Sequence, residues 1–212
     1  MTSVIVFDLG RVLVDFDTNR SVSALAATLG IDTEAAAERL RAVEVPFETG
    51  RIDQRRAIEM LLETPDRPRW RESVTARERT ERLLVAAIGS RFSPMPRTIE
   101  LVYELAHTGH RLALASNTSP LDFEAVRTLY PDVIAPFDDR LFLSYRIGAM
   151  KPDQSFYAAV VKSLDVAADE CIFIDDMPQN VVGARNAGMR AIRFGGADAL
   201  RLELDAMLGT GR

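Results

Sequence analysis

Val4-Ile5-Val6-Phe7-Asp8-Leu9-Gly10-Arg11-Val12-Leu13-Val14-Asp15 is the stretch from which the fold can be read. Val4–Phe7 is a run of four apolar residues with no polar alternation, and it closes on an aspartate. A run of this kind fits a strand buried on both faces, as in the interior of a parallel sheet. In open α/β sheets ligands collect at the carboxyl ends of the strands. Asp8 therefore occupies a position where chemistry is expected.

Four more segments share this character: Arg111–Ala115, Arg140–Ser144, Cys171–Ile174 and Arg190–Phe194. Helical periodicity fills the spaces between them. Thr98–Thr108 puts Ile99, Val102, Leu105 and Ala106 on one face, and Ser155–Leu164 and Val181–Ala187 behave alike. Strands alternating with helices predict an α/β fold with a Rossmann-like, doubly wound parallel sheet. Residues 17–92 differ, because they hold no strand-like run. Ser21–Leu29, Thr33–Val43, Asp53–Leu62 and Ser73–Ile88 read as amphipathic helices, separated by Pro46, Gly50, Pro65 and Pro68. Ser93-Pro94-Met95-Pro96 reads as a stiff return linker. The expected organisation is a core of residues 1–16 and 93–212, interrupted by an all-helical cap over 17–92.

Composition excludes several classes. The 212 residues are 47% hydrophobic and 27% charged, which is ordinary globular usage. With 26 basic against 31 acidic residues, the net charge of −5 argues against a nucleic-acid partner. No apolar run nears the ~18 residues of a membrane helix. The single cysteine, Cys171, forms no intrachain disulfide and reads as a buried core thiol. No basic leader or cleavage site precedes Val4, so a cytoplasmic location is the expectation. Oligomeric state is not legible.

The strand ends gather an unusual set. After Asp8 come Ser116-Asn117-Thr118, then Gly148-Ala149-Met150-Lys151-Pro152-Asp153, then Asp175-Asp176 with Asn180 a turn later. Singly these are ordinary: aspartates cap helices, Ser-Asn-Thr makes loops, and lysines sit in solvent. Two features resist that account. Lys151, one of only two lysines, precedes a helix start, where a cation is disfavoured without an anionic partner. Asp175 and Asp176 repel one another behind a buried strand unless a cation separates them. Taken together the set suits phosphoryl transfer. A lysine and a divalent metal remove the repulsion between an aspartate nucleophile and a phosphate ester. Magnesium favours such hard oxygen ligands, and a hydroxyl and backbone N–H groups can hold the phosphate oxygens.

These motifs, Val4–Val12, Leu114–Asn117, Lys151-Pro152-Asp153 and Phe173-Ile174-Asp175-Asp176, resemble the haloacid dehalogenase superfamily, in the branch with a helical cap after the first strand. Phe7–Asp15 with Asn19-Arg20, Ser116-Asn117-Thr118 and Met150-Lys151-Pro152 is similar to the alpha-D-glucose-1-phosphate phosphatases. The phosphatase domain of soluble epoxide hydrolase is a more distant relative. The resemblance implies that Asp8 is the nucleophile, forming an aspartyl-phosphate, and that Mg2+ is bound by Asp8, the Gly10 carbonyl and Asp176. By the same resemblance Asp175 acts through water or orients a ligand, Ser116 and Asn117 hold the phosphoryl group, Lys151 bridges nucleophile and phosphate, and Asn180 braces the loop.

The implied function is a magnesium-dependent phosphatase of a small phosphorylated metabolite, a sugar phosphate above all. Arg20 and the loop from Phe47 to Ile52 are candidates for cap-side substrate contacts. One position departs from the common pattern: Gly10 stands where most such phosphatases carry an acid/base aspartate. That leaves open a phosphoryl transferase or mutase, and a non-catalytic binder of phosphometabolites. A dehalogenase is disfavoured, since the position after Leu9 lacks the aromatic residue common in that branch.

Overall fold

The computed structural model describes residues 3–62 and 91–209, with Arg82, Ala86 and Gly89 between them. The helix expected over Ser73–Ile88 lies outside the described residues, except that Arg82 and Ala86 are helical. In chain order the strands are β1 (Val4–Phe7), β2 (Val14–Phe16), β3 (Phe92–Pro94), β4 (Arg111–Ser116), β5 (Leu141–Leu143), β6 (Cys171–Asp175) and β7 (Arg190–Arg193). Five of them form one parallel sheet in the order β5-β4-β1-β6-β7. The chain runs outward from β1 to β5 and then crosses back to β6. β1 is thus flanked by β4 and β6, with Val4 in register with both Arg111 and Cys171. This is the reversal of strand order at which ligands bind in such sheets.

Alternation along the strands builds a core on each face. Ile5, Phe7, Leu112, Leu114, Ile172 and Ile174 point to one side. Val4, Val6, Ala113, Ala115, Cys171 and Phe173 point to the other, against Phe156, Tyr157 and Val160 of the helix Gln154–Leu164. Both faces are apolar, which accounts for the unbroken hydrophobic runs in the sequence. Cys171 is buried, as expected. No helix among the described residues is long and apolar enough to cross a membrane.

Helices α1 (Thr18–Leu29), α2 (Thr33–Glu48) and α3 (Gln54–Leu62) carry a separate apolar cluster. Leu25, Val43, Phe47, Ile58 and Leu61 pack there, with Leu121 of the helix Pro120–Leu129 added from the sheet side. Asp17 caps α1 by accepting from the Asn19 N–H at 3.0 Å, and Asp32 caps α2 by accepting from Ala35 at 2.8 Å. α2 runs on through Pro46 to Glu48, beyond the expected end at Val43. Proline this close to the C-terminus removes one hydrogen bond, and the turn is re-closed by Thr49 N–H to Val45 O at 3.0 Å and Arg51 N–H to Pro46 O at 2.8 Å.

The expected return linker is also a strand. β3 pairs antiparallel with β2, matching Val14 to Pro94, Asp15 to Ser93 and Phe16 to Phe92. The outgoing and returning segments are therefore tied to each other just beyond Asp8.

The end of α2 meets the sheet domain at Gly50, whose φ is +67°. A Cβ at this position would lie 2.5 Å from the Tyr145 carbonyl oxygen. Gly30, at the end of α1, has a φ of +66° but open space around it. Gly50→Ala is therefore expected to lower the unfolding free energy by about 3 kcal/mol, and Gly30→Ala by only about 1 kcal/mol. Urea unfolding of the two variants measures this; equal losses would show that the close approach to Tyr145 constrains nothing.

Candidate active site

The ends of three parallel strands converge on one ammonium. Lys151 Nζ lies 2.8 Å from Asp8 Oδ1 at the end of β1 and 2.6 Å from Asp175 Oδ2 at the end of β6. It also donates to the Ala115 carbonyl on β4 at 3.0 Å. Asp8 is fixed from both sides. Its backbone N–H continues the ladder to Ile174 O at 2.9 Å, and its Oδ1 accepts from Leu9 N–H at 2.7 Å. Asp175 is fully buried, and both its oxygens are occupied: Met177 N–H at 2.9 Å and Asn180 Nδ2 at 3.0 Å donate to Oδ1, and Asn180 at 3.1 Å joins Lys151 on Oδ2.

Asp8, Asp175 and Asp176 each bring a carboxylate oxygen within 4.8 Å of the others. Such a triad of hard oxygens can hold a metal ion. Charge makes the same point. Burial, opposed by Lys151 and reinforced by Asp175, pushes the Asp8 carboxyl up to about 7. Burial and the neighbouring Asp175 also raise Asp176. One ammonium does not neutralise three carboxylates, so a second cation would relieve both shifts. Burial alone would lower the ammonium of Lys151, but Asp8 and Asp175 outweigh it and raise the value, keeping it charged.

The remaining sequence-derived candidates fall in distinct places. The Asn117 side chain is committed to the backbone of Lys151, donating to its carbonyl at 2.9 Å and accepting from its N–H at 2.8 Å. It shapes the lysine loop, and its main-chain N–H is what it can offer an anion. Ser116 is buried at the end of β4, its hydroxyl 3.3 Å from the Asn117 carbonyl. Asn180 braces Asp175, and its own carbonyl accepts from Tyr157 OH at 2.8 Å. Gly10 bridges to Val14, and a Cβ there would meet the Phe16 ring at 3.0 Å. Arg11 lies over the same ring at 4.9 Å. Arg20 is exposed and 3.8 Å from Asp17.

Sequence reasoning did not single out Arg91 and Asp122. They form a 2.7 Å ion pair, largely shielded from solvent, between the returning segment and the helix Pro120–Leu129. Arg91 is one of many arginines, and only the tertiary fold sets it apart.

Fold and site together define an α/β enzyme whose centre lies at the carboxyl ends of its strands. A profile of the haloacid dehalogenase-like hydrolases matches residues 2–188, and the chain belongs to that family. It is 27% identical over 208 residues to a sesquiterpene phosphatase of Aspergillus oryzae, covering 96% of this chain and 95% of that one. It is 25% identical over 217 residues to a D-ribitol-5-phosphate phosphatase of Bacteroides thetaiotaomicron, covering 99% and 100%. Against a drimenol cyclase of Aspergillus calidoustus it is 26% identical over 213 residues, which is 99% of this chain but only 37% of that protein. Among solved structures, a haloacid dehalogenase-family enzyme of Bacteroides thetaiotaomicron in complex with magnesium and inorganic phosphate superimposes with a TM-score of 0.75 at 20% identity, over 91% of this chain and 94% of that one.

The raised Asp8 carboxyl has a consequence for stability. Between an ordinary carboxylate value and about 7, the folded chain holds a proton that the unfolded chain has released. Metal-free stability therefore falls as pH rises through that window. Asp8→Asn removes the buried charge, so in chelator at about pH 8 the variant is expected to exceed wild type by on the order of 2 kcal/mol, and near pH 4 the gap should close. Urea unfolding at the two pH values tests this; a variant no more stable than wild type at the higher pH contradicts it.

Proposed function

We propose that the chain is a magnesium-dependent phosphatase of small phosphorylated metabolites, sugar phosphates foremost, working through an aspartyl-phosphate on Asp8. The observation that carries this reading is the buried Lys151 ammonium shared by Asp8 and Asp175, with Asp176 beside them. The relatives named as phosphatases, and the family structure holding magnesium and phosphate, support it.

The metal site fits this donor set. Asp8, the Gly10 carbonyl and Asp176 would hold the ion. Asp175 would stand behind them, since its oxygens are already taken by Lys151, Asn180 and Met177. When bound, the ion supplies positive charge that offsets the phosphate dianion. The chain does the rest. Lys151 keeps Asp8 oriented and offsets charge on the transferring group. Asp8 attacks phosphorus, and the bond from phosphorus to the leaving oxygen breaks. Ser116 and the backbone N–H groups of its loop hold the phosphoryl oxygens. Water then attacks the acyl-phosphate, releasing inorganic phosphate and restoring Asp8.

Residues 17–92 serve as a cap over this centre, on a core of 1–16 and 93–212. The separate apolar cluster of α1 to α3 and the paired β2 and β3 support that division. Closure of such a cap excludes water and brings substrate contacts. Arg20 and the turn after α2 belong to this unit.

Gly10 offers no proton, so the leaving oxygen departs with little assistance. Good leaving groups should suffer least, and an anomeric oxygen is a better one than a primary alcohol. A sugar 1-phosphate is thus expected to turn over faster than the matching 6-phosphate, and log kcat should fall steeply with leaving-group pKa. Equal turnover and a flat slope would mean that another residue delivers the proton. For the metal, phosphate release should stop in chelator and return with magnesium, and Asp176→Ala should weaken magnesium affinity by about 10-fold or more. Activity that survives chelation overturns the metal assignment.

A further inference from the structure

A cavity of about 270 Å³ lies between α1, α2 and the helix Pro120–Leu129. It is linked to the active centre by chain and by charge: Ser119 in its wall directly follows the Ser116-Asn117-Thr118 loop, and Lys151 acts on the Glu48 carboxyl in that wall. Val22, Val43, Phe47 and Leu121 make much of its surface apolar. Its volume equals that of about nine waters, enough for a small carbon skeleton.

Its polar groups are unevenly satisfied. Arg91 is committed: it pairs with Asp122 at 2.7 Å and lies over the Phe92 ring at 4.7 Å. Asp122 also accepts from Ser119 Oγ at 3.0 Å. Glu48, from the last turn of α2, is half-buried in the wall, and no described residue donates a hydrogen bond to its carboxyl. Burial, then Asp122 and Glu44, push it up to about 7, with Arg91 and Lys151 acting in the opposite sense. Among the described residues only Ser21 Oγ and Arg91 Nε are buried side-chain polar atoms without a partner, and both residues line this cavity. Its described charged residues are Glu44, Glu48 and Asp122 against Arg41 and Arg91, and one of the two arginines is already neutralised. A second anionic group has little to attract it here, whereas a hydroxyl can both donate and accept.

Resting on the phosphatase reading above, we propose that Glu48 is a specificity-determining residue. Its carboxyl hydrogen-bonds a hydroxyl of the leaving group in this cavity and rejects leaving groups that carry a carboxylate or a second phosphate. The substrate class is a monophosphate of a small, uncharged, hydroxylated alcohol.

The test uses the full-length protein with magnesium and three synthetic esters: phenyl phosphate, para-hydroxymethylphenyl phosphate and para-carboxyphenyl phosphate. The last two differ at one substituent, –CH2OH against –COO−, and phenyl phosphate is the internal reference. Wild type should prefer the hydroxymethyl ester to the carboxylated one in kcat/KM. Glu48→Gln, which keeps an acceptor oxygen, gains a donor and loses the charge, should narrow that ratio about 10-fold by improving the carboxylated ester. Glu48→Ala should instead raise KM for the hydroxymethyl ester about 10-fold relative to phenyl phosphate. The wild-type ratio should also widen between about pH 6 and pH 8 as Glu48 ionises, and Glu48→Gln should flatten that profile. If all three esters change by one common factor, Glu48 is structural and the inference is overturned. If wild type releases phosphate from none of them, the phosphatase reading itself falls, and this inference with it.

Discussion

One buried ammonium ties together three strands that would otherwise end in mutual repulsion. Lys151 Nζ contacts Asp8 on β1, the Ala115 carbonyl on β4 and Asp175 on β6. Each strand end is placed by ladder hydrogen bonds and by apolar packing on both faces of the sheet. The packing forces the carboxylates into a buried space, and the lysine makes that space tenable. Removing the ammonium would leave two buried carboxylates uncompensated, at a cost of roughly 3–5 kcal/mol. The loop bearing Lys151 is held in turn by the Asn117 side chain, and Asp175 is held by Asn180 and the Met177 N–H. The polar network is thus fixed in place before any ligand arrives, which is the condition for electrostatic catalysis.

The same arithmetic of charge explains why the centre favours a cation. Three carboxylates face one ammonium, and burial, reinforced by Asp175, makes both Asp8 and Asp176 hold their protons more tightly. A divalent ion supplies the missing charge, and on the proposed reading it turns an anion-repelling pocket into one that accepts a phosphate ester. The cavity between α1, α2 and the helix Pro120–Leu129 shows a different balance. There the positive charge of Arg91 is spent on Asp122, and Glu48 faces open space. On the proposed reading, Lys151 and the bound ion supply positive charge at the reacting phosphate, whereas acidic residues outnumber basic ones among the described residues lining the cavity.

Much of the fold was legible because both faces of the sheet are apolar. Val4–Phe7 and Cys171–Asp175 contain no alternation that could be mistaken for an exposed strand. The aspartates and Lys151 were legible as candidates because the aspartates follow such runs and Lys151 precedes a helix start, where its charge has no local justification. What escaped the sequence is non-local. β2 and β3 are three residues each, with Pro94 among them, and only their mutual pairing makes them strands. α2 continues through Pro46 because its last turn is re-closed against the next loop. Glu48 lies within the Phe47–Ile52 span, but nothing local marks it off from other glutamates; its place in a cavity wall with Arg91 and Asp122 does that. The engagement of the Asn117 side chain with the Lys151 backbone is likewise non-local, joining two loops far apart along the chain.

On the proposed mechanism Asp8 carries the phosphoryl group during turnover. The most direct measurement is acid quenching of the magnesium-loaded enzyme during turnover of a phosphate ester, followed by peptide mass spectrometry. The account predicts a phosphorylated peptide containing Asp8 in wild type and none in Asp8→Asn. A wild-type enzyme that turns over without any such species, under conditions where breakdown of the intermediate limits the rate, or one phosphorylated at another residue, would contradict it.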